Sequence, residues 1–261
     1  MDLRGATVLL TGASSGIGAA AARLLAKRGA TVGLVARRRD RLEEVLADCQ
    51  ENSPDSYLAV ADLSDYTAAE NVVRDALARW GAIDVLLNNA GAPKRRHVRD
   101  LTPDDVEATM RINFFSPMRM MLTVLPSMLE RKRGMIVNVG SMAGRIGVPT
   151  ESAYSASKFA ISGWTEACAL DLAGTGVELR LISPGAFDTE IWDLPDNEAP
   201  LYHGPLEPPE GVAADIIRAI EGDRFEIYSP DMKDIAAFKT TDIDVFLEGV
   251  AAMAREEQHK E

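Results

Sequence analysis

A glycine-rich segment between a strand and a helix constrains the fold of this chain more than any other feature. Residues 11–18 read TGASSGIG. The apolar residues 6–10 predict a short buried strand, and the alanine- and leucine-rich residues 16–28 predict a helix. Gly29 would end that helix, and residues 31–36 predict a second strand. This strand–turn–helix–strand order is typical of a βαβ unit and predicts a parallel sheet.

The glycines suit this segment to binding a charged ligand. Glycine lets the backbone turn tightly and approach a pyrophosphate, whose charge the N-terminus of the following helix stabilises. The spacing is G-x-x-x-G-x-G; a glycine-rich turn without a nucleotide is the alternative, which the order of elements disfavours. We therefore predict a dinucleotide site that includes Gly12, Ser14, Ser15, Gly16, Ile17 and Gly18.

A tyrosine and a lysine four residues apart form a second informative feature. Tyr154 and Lys158 would share one face of a helix. A free tyrosine titrates near pH ~10, and a neighbouring ammonium favours the phenolate. A pKa shift of roughly 3 units corresponds to about 4 kcal/mol and would suit the phenol to acid–base work near neutral pH. Alone, such a pair is more often an exposed tyrosine beside a solvated lysine, but Asn113, Ser141 and the glycine-rich segment favour chemistry.

The sequence resembles the short-chain dehydrogenase/reductase family of the single-domain type. The resemblance extends from about residue 5 to residue 229, with the motifs in the family's order and at its spacing. It depends on segment 11–18 and on Asp62, Asn88, Asn89, Ala90, Gly91, Asn113, Ser141, Tyr154, Lys158, Pro184, Gly185 and Thr189. It implies an α/β fold, a Rossmann-like, doubly wound, parallel seven-stranded sheet with helices on both faces. It also implies NAD or NADP as cofactor and a carbonyl or alcohol as substrate.

The resemblance implies a role for four residues in hydride transfer. Tyr154 would be the general acid or base, and Ser141 would bind the carbonyl oxygen of the substrate. Lys158 would lower the pKa of the tyrosine and hold the hydroxyls of the nicotinamide ribose. Asn113 would bend its helix and hold a water that links the lysine to solvent. From the residues alone, a capping serine at 141 and a tolerated polar residue at 113 are the alternatives.

Further cofactor contacts are implied near the carboxyl ends of the strands. Asp62 would bind the adenine amino group, with Leu63 beside it. A helix cap is the alternative role for Asp62, although residues 64 and 65 are better placed as caps. The turn 88–91 would pack in the central sheet and contact the nicotinamide-side ribose. The remaining predicted cofactor contacts are Asn89, Ala90, Gly91, Pro184, Gly185 and Thr189, together with Tyr154 and Lys158.

The end of the second predicted strand indicates which cofactor is bound. A carboxylate there bonds the ribose 2′-hydroxyl of NAD, whereas an arginine accommodates the 2′-phosphate of NADP. Ala36 stands where NAD-specific relatives carry an acid, and Arg37 and Arg38 follow it. We predict NADP(H), with Arg37 best placed for a bidentate phosphate contact. A solvated basic turn is the alternative, and the basic residue that many NADP-binding relatives carry before Gly16 is Ser15 here.

Composition and charge disfavour several classes of function. The length of 261 residues fits one α/β domain, and we predict a single domain over residues 1–261. The net charge of −12 disfavours nucleic acid and anionic membrane surfaces as partners. We see no N-terminal signal and no apolar run of ~18 residues, so we expect a cytoplasmic protein. The two cysteines and three histidines lack metal-binding spacing, and we expect no metal.

Strand-like and helix-like stretches alternate along the chain. Strands are predicted at residues 6–10, 31–36, 56–60, 83–87, 134–139, 178–182 and 225–229. Helices are predicted at residues 16–28, 40–49, 65–80, 102–130, 151–173 and 208–221.

The segment 186–210 differs from these elements because it contains five prolines and has no clear period. It follows the carboxyl end of a strand, where ligands bind in open α/β sheets. We therefore predict a substrate lid rather than a passive surface loop. Phe187 and Trp192 are predicted to contact an apolar or aromatic substrate. The basic residues 94–97 would either attract an acidic substrate or, as we expect, form a solvated turn.

The end of the chain departs from the family pattern. Residues 231–261 form a predicted helical tail, because residues 245–253 carry apolar side chains at helical spacing. Helices 102–130 and 151–173 are expected to form a homodimer, with the tail modifying or blocking the interface that makes tetramers. A tetramer that the tail helps to build is the alternative.

Two other functions are compatible with this fold. A non-catalytic nucleotide-sensing or scaffold protein is the main alternative, but such proteins typically lose the tyrosine, lysine and serine that this chain retains. Epimerising or dehydrating relatives usually carry a larger substrate domain, for which 261 residues leave little room.

Overall fold

The apolar segments of the sequence form one seven-stranded parallel sheet in the computed structural model, which describes residues 1–258. The strands are β1 Thr7–Thr11, β2 Thr31–Ala36, β3 Tyr57–Val60, β4 Val85–Asn88, β5 Gly134–Val139, β6 Val177–Pro184 and β7 Glu226–Ser229. Their order in the sheet is β3-β2-β1-β4-β5-β6-β7. The crossover from β3 to β4 reverses the direction in which strands are added, so a ligand crevice is expected at the carboxyl ends of β1 and β4.

Helices connect the strands and extend beyond the last one. They are α1 Gly16–Lys27, α2 Arg39–Gln50, α3 Tyr66–Trp80, α4 Pro103–Met110, α5 Ser116–Arg131, α6 Ser152–Asp171, α7 Pro209–Glu221, α8 Lys233–Thr241 and α9 Ile243–Gln258. The predicted fold class, a doubly wound sheet with helices on both faces, is confirmed.

Two hydrophobic layers enclose the sheet, which explains why its strands are apolar almost throughout. Successive strand residues point to opposite faces. Val8 and Leu10 of β1 therefore pack in the layer that includes α1, α2 and α7, whereas Leu9 packs in the layer that includes α3 and α5. All three side chains are fully buried, so the sheet holds its carboxyl edge in a fixed position beneath the crevice.

The helix predicted at residues 102–130 is present over residues 103–131, but its helix type changes in the middle. A π-helical segment, Arg111–Phe115, separates α4 from α5. The buried Asn113 lies at its centre and uses its side chain to bond the backbone of Ala92, outside the helix. Widened turns of this kind are common at functional sites. Asn113 thus lies at a local change of helix type.

The tail contains two helices, α8 and α9, where the sequence indicated one amphipathic helix over residues 245–253. Phe246 is buried, and its ring lies 6.3 Å from that of Phe238. Val245, Leu247 and Met253 on α9 stay exposed. Residues 259–261 of the predicted tail lie outside the described residues. In the part of the chain that the structure describes, no helix combines the length and the apolar character needed to cross a membrane.

Candidate active site

The ends of β1 and β4 approach so closely that only glycine fits between them. The side-chain nitrogen of Asn89 donates to the carbonyl of Thr11 over 3.0 Å, and the amides of Asn89 and Ala90 donate to the Thr11 hydroxyl over 3.0 and 3.1 Å. A Cβ on Gly12 would lie 2.8 Å from the Ala90 Cα, and one on Gly18 would lie 2.1 Å from the Gly12 oxygen. The glycine-rich turn is therefore held directly against the loop after β4.

The N-terminus of α1 opens into the resulting cleft. Ser15 precedes the helix without capping it through its side chain, and the first turn carries no acidic residue. The unpaired amides of a helix start, together with the helix dipole, favour an anion at this place. A Cβ on Gly16 would lie 2.9 Å from the Thr189 side chain, so the segment after β6 closes the other side. The cleft is lined by Gly12, Ser14, Ser15, Gly16, Ile17, Gly18, Asn89, Ala90, Gly91, Pro184, Gly185 and Thr189.

Ser141, Tyr154 and Lys158 line the same cavity as the glycine-rich turn. Ser141 follows β5, and its hydroxyl accepts from the Ala143 amide over 3.1 Å, which caps the short 3-10 turn Met142–Gly144. The capping role that the sequence left open therefore coexists with a position on the cavity wall. Lys158 is buried, and its Nζ donates to the Val139 carbonyl over 3.0 Å. The same Nζ lies 5.6 Å from the centroid of the Tyr154 ring.

Asn113 connects the π-helical segment to the loop after β4. Its Oδ1 accepts from the Ala92 amide over 2.8 Å, and its Nδ2 donates to the Ala92 carbonyl over 2.9 Å and to the Ser157 hydroxyl over 3.0 Å. Both the Asn113 oxygen and the Lys158 Nζ come close to Gly91, at 3.2 and 3.5 Å from the position of an added Cβ. Asn113 is therefore a structural bridge between α6 and the cleft.

The electrostatics of Tyr154 differ from the sequence prediction. Burial raises the pKa of Tyr154 above its ordinary value, and Glu151 raises it further, whereas a hydrogen bond from Ser141 and the guanidinium of Arg95 lower it. Arg95 thus acts on the tyrosine pKa, while the Lys158 ammonium, 5.6 Å from the ring centroid, donates to the Val139 carbonyl. Burial also lowers the pKa of Lys158 to about 8.

Asp62, the acid predicted to bind adenine, lies in the cleft after β3. Asp62 accepts from the Ser64 amide over 2.9 Å and from its hydroxyl over 2.8 Å, which stabilises the turn before α3. Asp65 caps α3, as the sequence suggested. Leu63 is buried in the core layer beneath. Both Asp62 and Leu63 also line the cleft.

Two arginines follow β2 on the rim of the cleft. Arg37 and Arg38 are both exposed and both line it. Arg38 donates to the Ser15 hydroxyl over 2.8 Å and pairs with Glu190 over 2.7 Å. Hydrogen bonds from Ser64 lower the pKa of Asp62, and the Arg37 guanidinium lowers it further. No carboxylate within residues 1–255 forms an ion pair with Arg37 within 4.0 Å, so its guanidinium can still bind a ligand.

The basic residues 94–97 are not a solvated turn, and that expectation is wrong. Lys94 is 7% exposed and Arg95 is 2% exposed. Lys94 pairs with Asp105 and with Asp196 of the lid, each over 2.7 Å. The Arg96 guanidinium also pairs with Asp196. These ion pairs hold the predicted lid against the loop after β4.

Arg95 fixes the lid through its backbone. Its guanidinium donates to three lid carbonyls, those of Ile191 over 3.3 Å, Trp192 over 2.7 Å and Glu198 over 3.0 Å. The guanidinium carbon also lies 5.6 Å from the centroid of the Trp192 ring. A buried arginine that spans three carbonyls gives this part of the lid a defined conformation.

The two aromatic residues predicted to meet the substrate have different surroundings. Trp192 lies in the 3-10 turn Glu190–Trp192, donates to the Phe187 carbonyl over 2.6 Å and stacks with Tyr202 at 6.4 Å. Phe187 is 4% exposed and packs in the core layer of α7. Both also line the cavity.

The cavity measures about 690 Å³, and many of its lining residues were not predicted as site residues. Among them are Arg95, Glu151, Glu190, Met232 and Ile235. Burial raises the pKa of Glu151, and Arg95 lowers it. Met232 and Ile235 come from the tail, which no motif connects with the site. Within residues 1–255, no group of three or more His, Cys, Asp or Glu side chains is arranged to hold a metal ion.

Comparison of the sequence and the fold with known proteins identifies the family of this chain. The family model described as short chain dehydrogenase matches residues 6–198. Dehydrogenase/reductase SDR family member 7B of Rattus norvegicus is 36% identical over 195 residues, which cover 72% of this chain and 60% of the rat protein. The match thus spans less than two thirds of that relative.

Two solved structures share the fold over nearly their whole length. A short chain dehydrogenase/reductase from Burkholderia phymatum in complex with NAD has a TM-score of 0.85 and 25% identity, covering 94% of this chain and 96% of that one. A metagenomic short-chain oxidoreductase in complex with NADP has a TM-score of 0.75 and 29% identity, covering 87% and 98%. The chain belongs to the short-chain dehydrogenase/reductase family of oxidoreductases.

The buried ammonium of Lys158 predicts a pH-dependent stability. Below pH about 8 both the folded and the unfolded chain bind the lysine proton, so the cost of burying the charge is fully present. Between about 8 and the ordinary pKa of 10.5, the unfolded chain binds more protons, so stability rises with pH. Relative to Lys158→Met, the wild type should gain about 1–3 kcal/mol of unfolding free energy across this window.

Urea titrations at pH 7, 9 and 10.5 measure this difference. Lys27→Met, which removes an exposed lysine from α1, is the matched control. A difference between wild type and Lys158→Met that stays constant with pH, or falls, would contradict the assignment of a buried ammonium at this position.

Proposed function

We propose that this protein is an NADP(H)-dependent oxidoreductase that transfers a hydride between NADPH and a carbonyl or alcohol substrate. One observation carries the proposal: Ser141, Tyr154 and Lys158 share one cavity with the glycine-rich turn, at the carboxyl edge of the sheet. Ligands of doubly wound folds bind at this edge. The solved relatives contain NAD or NADP, which supports a nicotinamide cofactor here.

The residues of the cleft fit a dinucleotide. The α1 N-terminus offers its unpaired amides to a pyrophosphate, and its first turn carries no acidic residue that would repel one. Asp62 would bind the adenine, and Asn89 and Ala90 would contact the nicotinamide-side ribose. The other proposed contacts are Ser14, Ser15, Ile17, Gly18, Leu63, Gly91, Pro184, Gly185 and Thr189, together with Tyr154 and Lys158.

Ser141, Tyr154 and Lys158 would each have a separate role in the hydride transfer. A bound NADPH supplies the hydride that adds to the carbonyl carbon of the substrate. Tyr154 donates its phenolic proton to the oxygen, and Ser141 donates a hydrogen bond to the same oxygen as negative charge develops there. Lys158, adjacent to the tyrosine, would stabilise the phenolate left behind. In the reverse direction Tyr154 accepts the proton of the alcohol.

Asn113 would support the return of the proton. It bonds both backbone groups of Ala92 and comes close to Gly91 together with Lys158. We propose that this arrangement holds a water that connects the lysine to solvent. The lid would exclude bulk water, with Trp192 and Phe187 as the apolar wall of the substrate side.

A non-catalytic nucleotide sensor on the same fold is the second candidate. It shares the cofactor cleft but does not need an acid–base group beside it. Ser141, Tyr154 and Lys158 are all present and close together, which favours the enzyme. Turnover separates the two, because a sensor would bind NADPH without oxidising it.

We also propose a homodimer formed through α5 and α6. Leu122 and Leu129 are exposed on α5, and Phe115, seven residues before Leu122, is exposed at the end of the π-helical segment. Phe159 and Leu170 are exposed on α6. A stripe with heptad spacing is typical of a surface that packs on another helix. The tail would limit the assembly to a dimer.

Replacing Tyr154 by phenylalanine tests the chemistry. Tyr154→Phe keeps the ring but removes the phenolic proton donor that lies with Ser141 and Lys158, so kcat should fall by about two orders of magnitude or more. NADPH affinity should stay within a few-fold of wild type. Steady-state kinetics and NADPH titration measure both, with Tyr57→Phe at the β3 edge as control. Near-wild-type turnover by Tyr154→Phe would refute the mechanism.

Replacing Arg37 by alanine tests the cofactor preference. Wild type should prefer NADPH to NADH, and Arg37→Ala should lose about ten- to a hundredfold in NADPH affinity, the range expected for a charge-assisted contact. The kcat at saturating cofactor should change little. Arg39→Ala, which removes an arginine paired with Glu43 at the start of α2, is the control. Equal use of both cofactors by wild type would contradict the preference.

A charge placed in the α5 stripe tests the dimer. Leu122→Glu should convert the dimer to a monomer, because a buried carboxylate without a partner is costly. Leu247→Glu on α9 is the matched control, since the two leucines are 48% and 53% exposed. Light scattering gives the mass of each. A wild-type tetramer would contradict the proposed dimer. A dimer that Leu247→Glu dissociates instead would show that the tail builds the interface.

A further inference from the structure

A carboxylate on the lid reaches across the cofactor cleft to the arginines after β2. The Glu190 Oε2 lies 2.7 Å from the Arg38 Nη1, and its Oε1 lies 3.9 Å from the Arg41 Nη2. The other nitrogen of the Arg38 fork donates to the Ser15 hydroxyl over 2.8 Å and to the Ser14 hydroxyl over 3.3 Å. One guanidinium therefore joins the lid, the glycine-rich turn and the end of β2.

This ion pair lies where a ligand can reach it. Arg38 and Glu190 both line the cleft, and their side chains are 44% and 45% exposed. Thr189, the neighbour of Glu190, packs against Gly16 at the start of α1. Arg37 and Arg38 form a two-residue arginine turn that supplies positive charge at this end of the cleft. The ion pair therefore closes the lid at the positively charged end.

The two arginines of this turn differ in whether their guanidinium already forms an ion pair with a carboxylate. Within residues 1–255 no carboxylate lies within 4.0 Å of the Arg37 guanidinium, whereas Arg38 is paired with Glu190. The Arg38 guanidinium lowers the pKa of Glu190, so this carboxylate is ionised at neutral pH. A phosphate approaching the turn meets one open arginine and one that already holds an anion.

We propose that Glu190 is a cofactor-specificity residue whose carboxylate competes with the 2′-phosphate of NADP(H) for Arg38. The inference rests on the proposed NADP(H) dependence. A phosphate carries more charge than a carboxylate and binds the guanidinium fork bidentately, so it displaces Glu190. NAD(H) has no 2′-phosphate and leaves the pair in place. Binding of NADP(H) therefore releases this corner of the lid, and binding of NAD(H) does not.

The size of the effect follows from the exposure of the pair. An exposed ion pair contributes little to affinity because water and salt screen it. Removing the Glu190 charge should therefore tighten NADPH binding by only about two- to fivefold. Binding of NADH should stay within about twofold of wild type, since no anion has to be displaced.

Cofactor titrations of Glu190→Gln in the absence of substrate test the proposal. The dissociation constants of NADPH and NADH are measured from the fluorescence of the bound nicotinamide for wild type and variant. Glu43→Gln is the matched control. It removes a carboxylate that lies 3.6 Å from Arg39 at the start of α2 and forms no ion pair with Arg38. We expect tighter NADPH binding in Glu190→Gln only, with a gain that shrinks in high salt.

Hydrogen exchange of the lid supplies a second readout that does not depend on affinity. In wild type, amides 189–193 should exchange faster with saturating NADPH than with saturating NADH. In Glu190→Gln the two cofactors should give the same exchange, because the carboxylate that distinguishes them is gone.

The outcomes separate this inference from the function on which it rests. If wild type binds NADPH no better than NADH, the NADP(H) dependence is wrong, and the competition at Arg38 falls with it. If wild type prefers NADPH but Glu190→Gln binds it equally or more weakly, the dependence stands and the competition is overturned. Weaker binding of NADPH by Glu190→Gln would mean that Glu190 holds Arg38 in position for the phosphate.

Discussion

The contact between Thr11 and Asn89 is the constraint on which the rest of the site depends. Three hydrogen bonds join the end of β1 to the loop after β4, and two glycines, Gly12 and Gly18, permit the close approach. Any larger residue at these glycines would push the turn away from the sheet. Because the turn cannot move, the N-terminus of α1 faces the crevice, and the crevice keeps its width.

The chemical groups reach this crevice from separate parts of the chain. Ser141 comes from the end of β5, Tyr154 and Lys158 come from one face of α6, and Asn113 comes from a π-helical segment that bonds the loop after β4. A parallel sheet brings the carboxyl ends of its strands to one edge, so residues far apart in sequence become neighbours. The lid then adds Arg95-bound carbonyls and apolar side chains above them.

Much of the sheet and the central site was predictable from sequence because short-range patterns determine them. Apolar runs gave the strands to within two residues, and the spacing of Tyr154 and Lys158 placed both on one helix face. The burial of Lys94 and Arg95 was not predictable, because their partners Asp196 and Glu198 lie about a hundred residues away in a segment without periodicity. The contribution of Met232 and Ile235 also depends on how the tail packs, for which the sequence has no local signal.

Transfer of deuterium from NADPH to a product tests the central claim most directly. NADPH deuterated on both faces of the nicotinamide C4 is incubated with the protein and a panel of ketones and aldehydes, and the alcohols are analysed by mass spectrometry. The proposed function predicts one deuterium on the carbinol carbon of at least one product, with none in reactions of Tyr154→Phe. Saturable binding of NADPH without any label transfer across aliphatic, aromatic and acidic carbonyl compounds would contradict it.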